Sequence, residues 1–288
     1  MPNIQKILLS ADTPCDIGSD LQQRYDVSLF PLHIVLGERS FTDGQDITPQ
    51  DLFAAWREQK LLPRTAAINP AEYAAYFKPF VEDGYHVIHL SIGSGISSSH
   101  QNAAIAAGSF GGRVCVIDSK SLSTGFGLLV CEAGERIAQG MAFEQICREL
   151  VPLAEKTRAS FVLDTLEFLN AGGRCSSLAR LSADVLSLKP SILVRNDLCG
   201  SMVVGKKYIG RLDRSVLKYV EDQLKDRTDI VLDRVFITYS SLDAALLHQV
   251  EETVLRLQPF REVHITTASC TISAHCGPNC IGVLFLTK

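Results

Sequence analysis

The segment HVIHLSIGSGISSSHQNAAIAA, His86 to Ala107, passes from one chemistry to another twice. His86 to Ile92 is a short run rich in Val, Ile and Leu, the composition of a strand covered on both faces. Gly93 to Ser99 is a Gly/Ser loop, and Ser97 to Ala107 is an Ala-rich helix with Ser97 placed to cap it. Strand, tight loop and helix in immediate succession are the unit of a parallel sheet. The same alternation extends on both sides. Upstream, strands are predicted over Ile4–Ser10 and Val27–Leu36, with a helix over Asp16–Arg24 between them. Thr48-Pro49 opens a further helix, because Thr caps well and Pro suits the first helical position. Pro70–Val81 is helical, with Tyr73, Tyr76, Phe77 and Phe80 on one stripe. Downstream come a strand (Arg113–Ile117) and two helices (Gly125–Ala138 and Phe143–Lys156).

The second half reads differently. Phe161–Leu166 is a strand, Asn170–Gly173 a turn, Ser177–Leu186 a short helix and Ser191–Val194 a strand after Lys189-Pro190. Asp197–Gly200 is a hairpin turn into the strand Ser201–Lys207. Helices over Arg211–Asp226 and Leu242–Leu257 then alternate with strands over Arg234–Tyr239, Glu262–Thr267 and Ile281–Thr287. The expected architecture is two α/β domains, residues 1–157 and 158–288. The first holds a mainly parallel sheet flanked by helices, and the second is a smaller domain with a mixed sheet. Length agrees, since 288 residues is a prior of about two domains.

Composition narrows the function classes. With 46% hydrophobic and 21% charged residues the chain has material for packed cores. A net charge of −4 excludes a general nucleic-acid binder, which needs net or clustered positive charge. No basic-then-apolar leader opens the chain, and the longest apolar runs are too short to span a bilayer. The nine cysteines are scattered, mostly in apolar segments such as Val114-Cys115-Val116. That usage predicts a cytoplasmic protein with free thiols. Charge is uneven: from Arg174 to Arg214 eight basic residues face three acids, leaving +5 there and −9 elsewhere. Such a segment is either a solvated surface or a docking face for an acidic protein or phosphorylated ligand.

Two clusters carry candidate chemistry. The Gly93–Ser99 loop offers backbone N–H groups and hydroxyls at a helix start, a site for a carboxylate or phosphate. Gly93-x-Gly95-x-x-Ser98 also approaches a dinucleotide fingerprint, but it lacks the third glycine and does not follow the first strand. No Gly-x4-Gly-Lys-Ser/Thr loop is present for ATP. Near the C-terminus, Cys270, His275, Cys276 and Cys280 invite a zinc reading. Their spacing lacks paired Cys-x2-Cys hooks, so the expectation is no bound metal, with a Gly-Pro turn presenting His275 to a cleft.

Taken in order, the short motifs resemble the DegV family of fatty-acid-binding proteins, which includes the acyl-carrier subunits of bacterial fatty acid kinase. They are Ser10-Ala11-Asp12-Thr13, Pro31-Leu32, Asp43-Gly44, Thr65, Ser94-Gly95-Ile96-Ser97, Ile117-Asp118-Ser119, Thr165–Leu169 with Gly172-Gly173-Arg174, Leu188-Lys189-Pro190 and His275-Cys276-Gly277-Pro278. Ala66 stands where the family has Ser, His100 where it has Tyr, and Cys276 where it has Thr. The resemblance implies a long-chain fatty acid in a tunnel between the two domains, as ligand rather than cofactor. Its carboxylate would be held by Thr65, Ser94 and Ser97, with His275 close by. It further implies a carrier without catalysis of its own, serving a separate ATP-dependent kinase that makes the acyl-phosphate. Arg174, Arg180, Arg195, Lys206 and Lys207 would then border the opening and meet that kinase. The competing reading is an enzyme whose loop at 93–99 binds a phosphorylated substrate or a dinucleotide.

Overall fold

The computed structural model describes residues 5–175 and 188–288. The first half runs β1 (Ile7–Asp12), α1 (Gly18–Arg24), β2 (Val27–Phe30), β3 (His33–Leu36), β4 (Arg39–Thr42), α2 (Pro49–Gln59), β5 (Arg64–Ala66), α3 (Pro70–Glu82), β6 (His86–Ser91), α4 (Ser99–Ala107), β7 (Val114–Asp118), α5 (Thr124–Ala138) and α6 (Phe143–Ala154). The second half runs β8 (Thr157–Arg158), β9 (Ser160–Val162), α7 (Glu167–Gly172), β10 (Leu188–Arg195), β11 (Ser201–Ile209), α8 (Leu212–Leu224), β12 (Ile230–Ser240), α9 (Ala244–Leu257), β13 (Glu262–Thr267), α10 (Cys270–Cys276) and β14 (Cys280–Thr287).

The first sheet is wholly parallel, in the order β2-β1-β6-β7. β6 is buried from Val87 onward, as an apolar strand covered on both faces must be. On one face Tyr73, Phe77 and Val81 of α3 pack with Ala103 and Ala106 of α4; on the other lie α5 and α6. Both α2 and α3 begin with the reciprocal caps the sequence offers, Thr48 with Asp51 and Asn69 with Glu72. The chain leaves β1 in one direction for β2 and returns on its other side for β6. The carboxyl ends of β1 and β6 therefore flank the switch point, where open α/β sheets bind ligands.

The second sheet has seven strands. Six follow the order β11-β10-β9-β14-β12-β13, with β8 paired to β14, and only β12 and β13 run parallel. It is mixed, as expected. α8 and α9 cover one face around Tyr219, Val220, Val250 and Val254. The other face turns toward α5, which is buried on nearly all sides. An all-round apolar helix belongs between two layers. Its glycines permit this: a Cβ at Gly125 would sit 2.8 Å from the Ala159 side chain, and one at Gly127 2.7 Å from that of Ile17.

Four expectations differ from the structure. The run Val27–Leu36 is two strands rather than one. Pro31 has no N–H to continue a ladder, and β3 turns away to pair antiparallel with β4 and β5 in a small third sheet. The Asn170–Gly173 turn is the end of α7, closed by Gly173 in the left-handed region. β10 starts at Leu188 and carries Pro190 inside it, at the cost of a register shift before Ile192. His275 sits on a short helix, α10, rather than on the Gly-Pro turn that follows it. The helix expected at Ser177–Leu186 lies outside the described residues. No helix among the described residues is long and apolar enough to cross a membrane.

Candidate functional site

A cavity of about 100 Å³ opens where the switch point, the small third sheet, α10 and the mixed sheet meet. Leu32, Ile92, Ile96, Leu122, Met202 and Ile272 give it apolar walls, and its polar groups are Thr65, Ser97, Ser98, Thr271, Arg174 and His275. Leu122, Ile272 and Cys276 also line a second, apolar space of about 30 Å³ that reaches Phe161 and Leu284 of the mixed sheet. The first space carries the polar groups, and the surface of the second is almost wholly apolar.

His275 is brought here by how α10 is anchored. Asp43, buried at the end of β4, accepts the N–H groups of Cys270 and Thr271 at 2.9 and 3.1 Å and so caps α10. At the far end Gly277 takes φ 69° and lies against the Phe168 ring, where any Cβ would approach to 2.7 Å. His275 Nε2 meets Thr65 Oγ1 at 2.9 Å, joining α10 to β5 across 210 residues of chain. Its Nδ1 is sealed from solvent with no hydrogen-bond partner among the described residues. The ring lies directly on Gly172, whose missing side chain leaves it room. Burial, reinforced by the nearby Arg174 guanidinium, pushes the imidazole down to about 4, so it is neutral at pH 7. The stabilising neutral state is fully populated in both folded and unfolded chains above pH 6.5; stability falls as pH drops from there toward about 4.

Arg174 follows the left-handed Gly173 and donates through Nη1 to the carbonyl of Gly172 at 2.6 Å. Its remaining donors, beside the neutral His275, make this end of the cavity cationic. Sequence reasoning assigned Arg174 to partner docking; the run Gly172-Gly173-Arg174 was the signal that could have put it in the site.

The Gly/Ser loop is built otherwise than its composition suggests. Gly93 N–H donates to Ser121 O, and Gly95 N–H to Cys199 O, both at 2.8 Å. Ser94 is exposed and committed to Asp118, through its N–H at 3.1 Å and its hydroxyl. Those amides are not open to an anion, and Ser94 does not line the cavity. Ser97 does, while its Oγ also accepts the Ser99 N–H at 3.2 Å. The glycines serve a close approach of protein rather than of phosphate. A Cβ at Gly95 would stand 2.6 Å from Leu198 O at the tip of the β10–β11 hairpin. That occupancy removes the geometric basis of a dinucleotide cradle here. Gly95→Ala is accordingly expected to cost about 1–3 kcal/mol by prising the hairpin from the loop; an unchanged urea midpoint would contradict this.

The basic segment is also dispersed. Arg195 pairs with Asp197 at 2.6 Å and Lys206 with Asp222 at 2.6 Å, whereas Lys207 is exposed on β11 with no acidic partner among the described residues. Of these cations Arg174 alone lines the cavity, and Arg180 lies outside the described residues. No cluster of three or more His, Cys, Asp or Glu among the described residues is placed to hold a metal, and no disulfide joins any of the nine cysteines. Cys270 and Cys280 are packed into the interior.

The sequence profile of the DegV family, described as one of uncharacterised proteins, matches residues 6–288. The chain belongs to the DegV family. A DegV domain-containing protein of Caldanaerobacter subterraneus subsp. tengcongensis is 29% identical across 99% of this chain and 100% of its own. Among solved structures, a fatty-acid-binding DegV protein from Thermus thermophilus superposes with a TM-score of 0.86 at 28% identity, covering 99% of this chain and 100% of that one. A stearic-acid-binding protein from Eubacterium ventriosum gives 0.81 at 26% identity, with coverage of 99% and 98%. The DegV chain described here shares with them its two α/β domains.

One further acid abuts the site. Asp16 holds α10 from outside, accepting the Ser269 N–H at 2.9 Å and the Ser123 hydroxyl at 2.6 Å. Burial pushes its carboxyl up from 3.8 to about 7. The folded state therefore binds more protons than the unfolded one across that window, and Asp16 lowers stability as pH rises through it. Asp16→Asn should gain on wild type progressively between pH 3.8 and about 7. A stability difference constant across that range would contradict the assignment.

Proposed function

We propose that this protein binds a long-chain fatty acid, with the carboxylate at the polar end of the cavity and the acyl chain in its apolar extension. The observation that carries this reading is the placement of Arg174, Thr65 and neutral His275 together in a cavity that shares its Leu122, Ile272 and Cys276 wall with a neighbouring apolar space. A single anionic end needs a cation and hydroxyls, and an alkyl chain needs walls that offer no competing polar group. Fatty-acid binding by the Thermus thermophilus DegV protein and stearic-acid binding by the Eubacterium ventriosum protein support it. In this reading Arg174 neutralises the carboxylate, the Thr65 hydroxyl donates to it while His275 Nε2 orients that hydroxyl, and Ser97 and Ser98 border the opening. Ser94, expected from the family resemblance to contact the carboxylate, would act only by shaping the loop. The division of the chain at 157/158 belongs to the same proposal, with the tunnel lying between the two parts.

The reading extends to a partner. Conversion of the carboxylate to an acyl-phosphate needs a γ-phosphoryl group brought to it, so a separate ATP-dependent kinase would cover the cavity mouth. Of the docking residues expected from the sequence, Lys207 keeps a charge without an acidic partner among the described residues, Arg174 is taken up by the carboxylate, and Arg195 and Lys206 meet acids of this chain instead. The test of the binding step is mass spectrometry of the purified protein after denaturation. A long-chain acid at near one per chain is expected. No acid, together with no uptake of added oleate or palmitate, would overturn the reading.

A further inference from the structure

A separate cavity, of about 440 Å³, lies on the far side of the β10–β11 hairpin, between the β8–β9 segment and the end of α8. Three arginines line it: Arg158, Arg195 and Arg227. Each is fastened by part of its donor set. Arg158 donates through Nη1 to the carbonyls of Glu155 and Thr157, both at 2.8 Å. Arg195 grips Asp197 through Nε and Nη2 at 2.8 and 2.6 Å. Arg227 grips Asp229 in the same way at 2.9 and 2.6 Å and lies 4.9 Å from the Phe285 ring centre. A guanidinium has five N–H donors, so each keeps donors to spare while its plane is held. Gln223 adds to them: its carbonyl oxygen accepts the Ser160 hydroxyl at 3.0 Å, and its amide NH₂ has no partner among the described residues. The carboxylates on the wall are already engaged, Glu155 by Lys120 and Asp197 by Arg195.

We propose that this cavity is a binding site for a phosphate group, free or carried as a phosphomonoester. The chemistry on its walls is donor-rich and preorganised, since the Arg158 guanidinium donates to carbonyls and Arg195 and Arg227 keep free N–H groups beyond their aspartates, which suits a compact dianion with three acceptor oxygens. Its frame also connects to the head cavity. Asn196, on its wall, donates to Lys120 O, Ala154 O and Thr157 Oγ1, and two residues further on Leu198 and Cys199 touch Gly95. An anion drawn in by Arg195 would thus load the hairpin whose tip holds the loop bearing Ser97. The site itself does not depend on the fatty-acid reading.

Titration calorimetry of the full chain with orthophosphate, at constant ionic strength and with glycerol phosphate as the ester arm, decides the matter. Saturable binding is expected, weakened about tenfold or more by Arg158→Gln and again by Arg227→Gln, with the acyl content of both variants unchanged. Tighter binding of the ester than of orthophosphate assigns the site to phosphomonoesters, and the reverse order assigns it to the free anion. No saturable heat with either anion would overturn the proposal. So would binding that survives Arg158→Gln and Arg227→Gln, or that is lost in Arg174→Gln, which would put the anion in the head cavity.

Discussion

Arg174→Gln is expected to weaken fatty-acid binding by about 2–3 kcal/mol, roughly 30- to 150-fold in Kd. The variant leaves a carboxylate beside a neutral imidazole, in a cavity whose other polar groups are hydroxyls. A charge-assisted hydrogen bond is lost, and the carboxylate is left without its cation. The figure is below that for a fully buried pair because Arg174 itself is exposed, which lets water replace part of the interaction. Arg195→Gln is the matched control, since Arg195 serves Asp197 and borders the other cavity. Its fatty-acid affinity should equal that of wild type. Equal losses in both variants would mean a diffuse field rather than a contact, and no loss in Arg174→Gln would remove Arg174 from the site.

Asp43→Ala is expected to cost about 4 kcal/mol of folding stability. This carboxylate is buried and accepts four hydrogen bonds: from Cys270 N–H, Thr271 N–H, Thr271 Oγ1 at 2.6 Å and Thr13 Oγ1 at 3.2 Å. Truncation strands two buried amides at the start of α10, each costing about 1–3 kcal/mol, and frees the tie to the segment after β1. Because α10 carries His275, the loss should be felt at the head cavity as well, as a parallel fall in acyl content. Asp43→Asn, which keeps one acceptor oxygen, should lose about half as much. Guanidinium unfolding provides the measurement, and a loss in Asp43→Ala below about 1 kcal/mol would contradict the anchoring role.

Much of this was written plainly in the chain. The strand–loop–helix at His86–Ala107 and the Pro-led helices at Pro49 and Pro70 are local signals, and local signals survive folding. Thr65 and His275 were assigned to the site through the family resemblance, and the structure brings them within a hydrogen bond. Other features were illegible for stated reasons. The third sheet depends on β3 meeting β5 some 30 residues later, and three-residue strands such as Arg64–Ala66 have too little pattern to show a period. Gly93 and Gly95 looked like a phosphate loop because a glycine marks a close approach without naming what approaches. The answer, the tip of a hairpin about 100 residues downstream, is a tertiary fact. Charge counting likewise saw eight cations and missed that Asp164 and Asp222, outside the segment, pair with Lys189 and Lys206. Arg174 was grouped with the docking residues, not the cavity it lines, for the same reason: its neighbour in space, His275, is distant in sequence.

In the proposed complex the carboxylate of a fatty acid sits between Arg174 and the Thr65–His275 pair. A crystal structure of the protein grown with palmitate tests it most directly. Carboxylate oxygens are expected within hydrogen-bond reach of the Arg174 guanidinium and Thr65 Oγ1, with the alkyl chain passing Leu122 and Ile272 toward Phe161. A headgroup bound instead at Ser94 and Asp118, or an alkyl chain lying outside the space between Leu122 and Phe161, would contradict it.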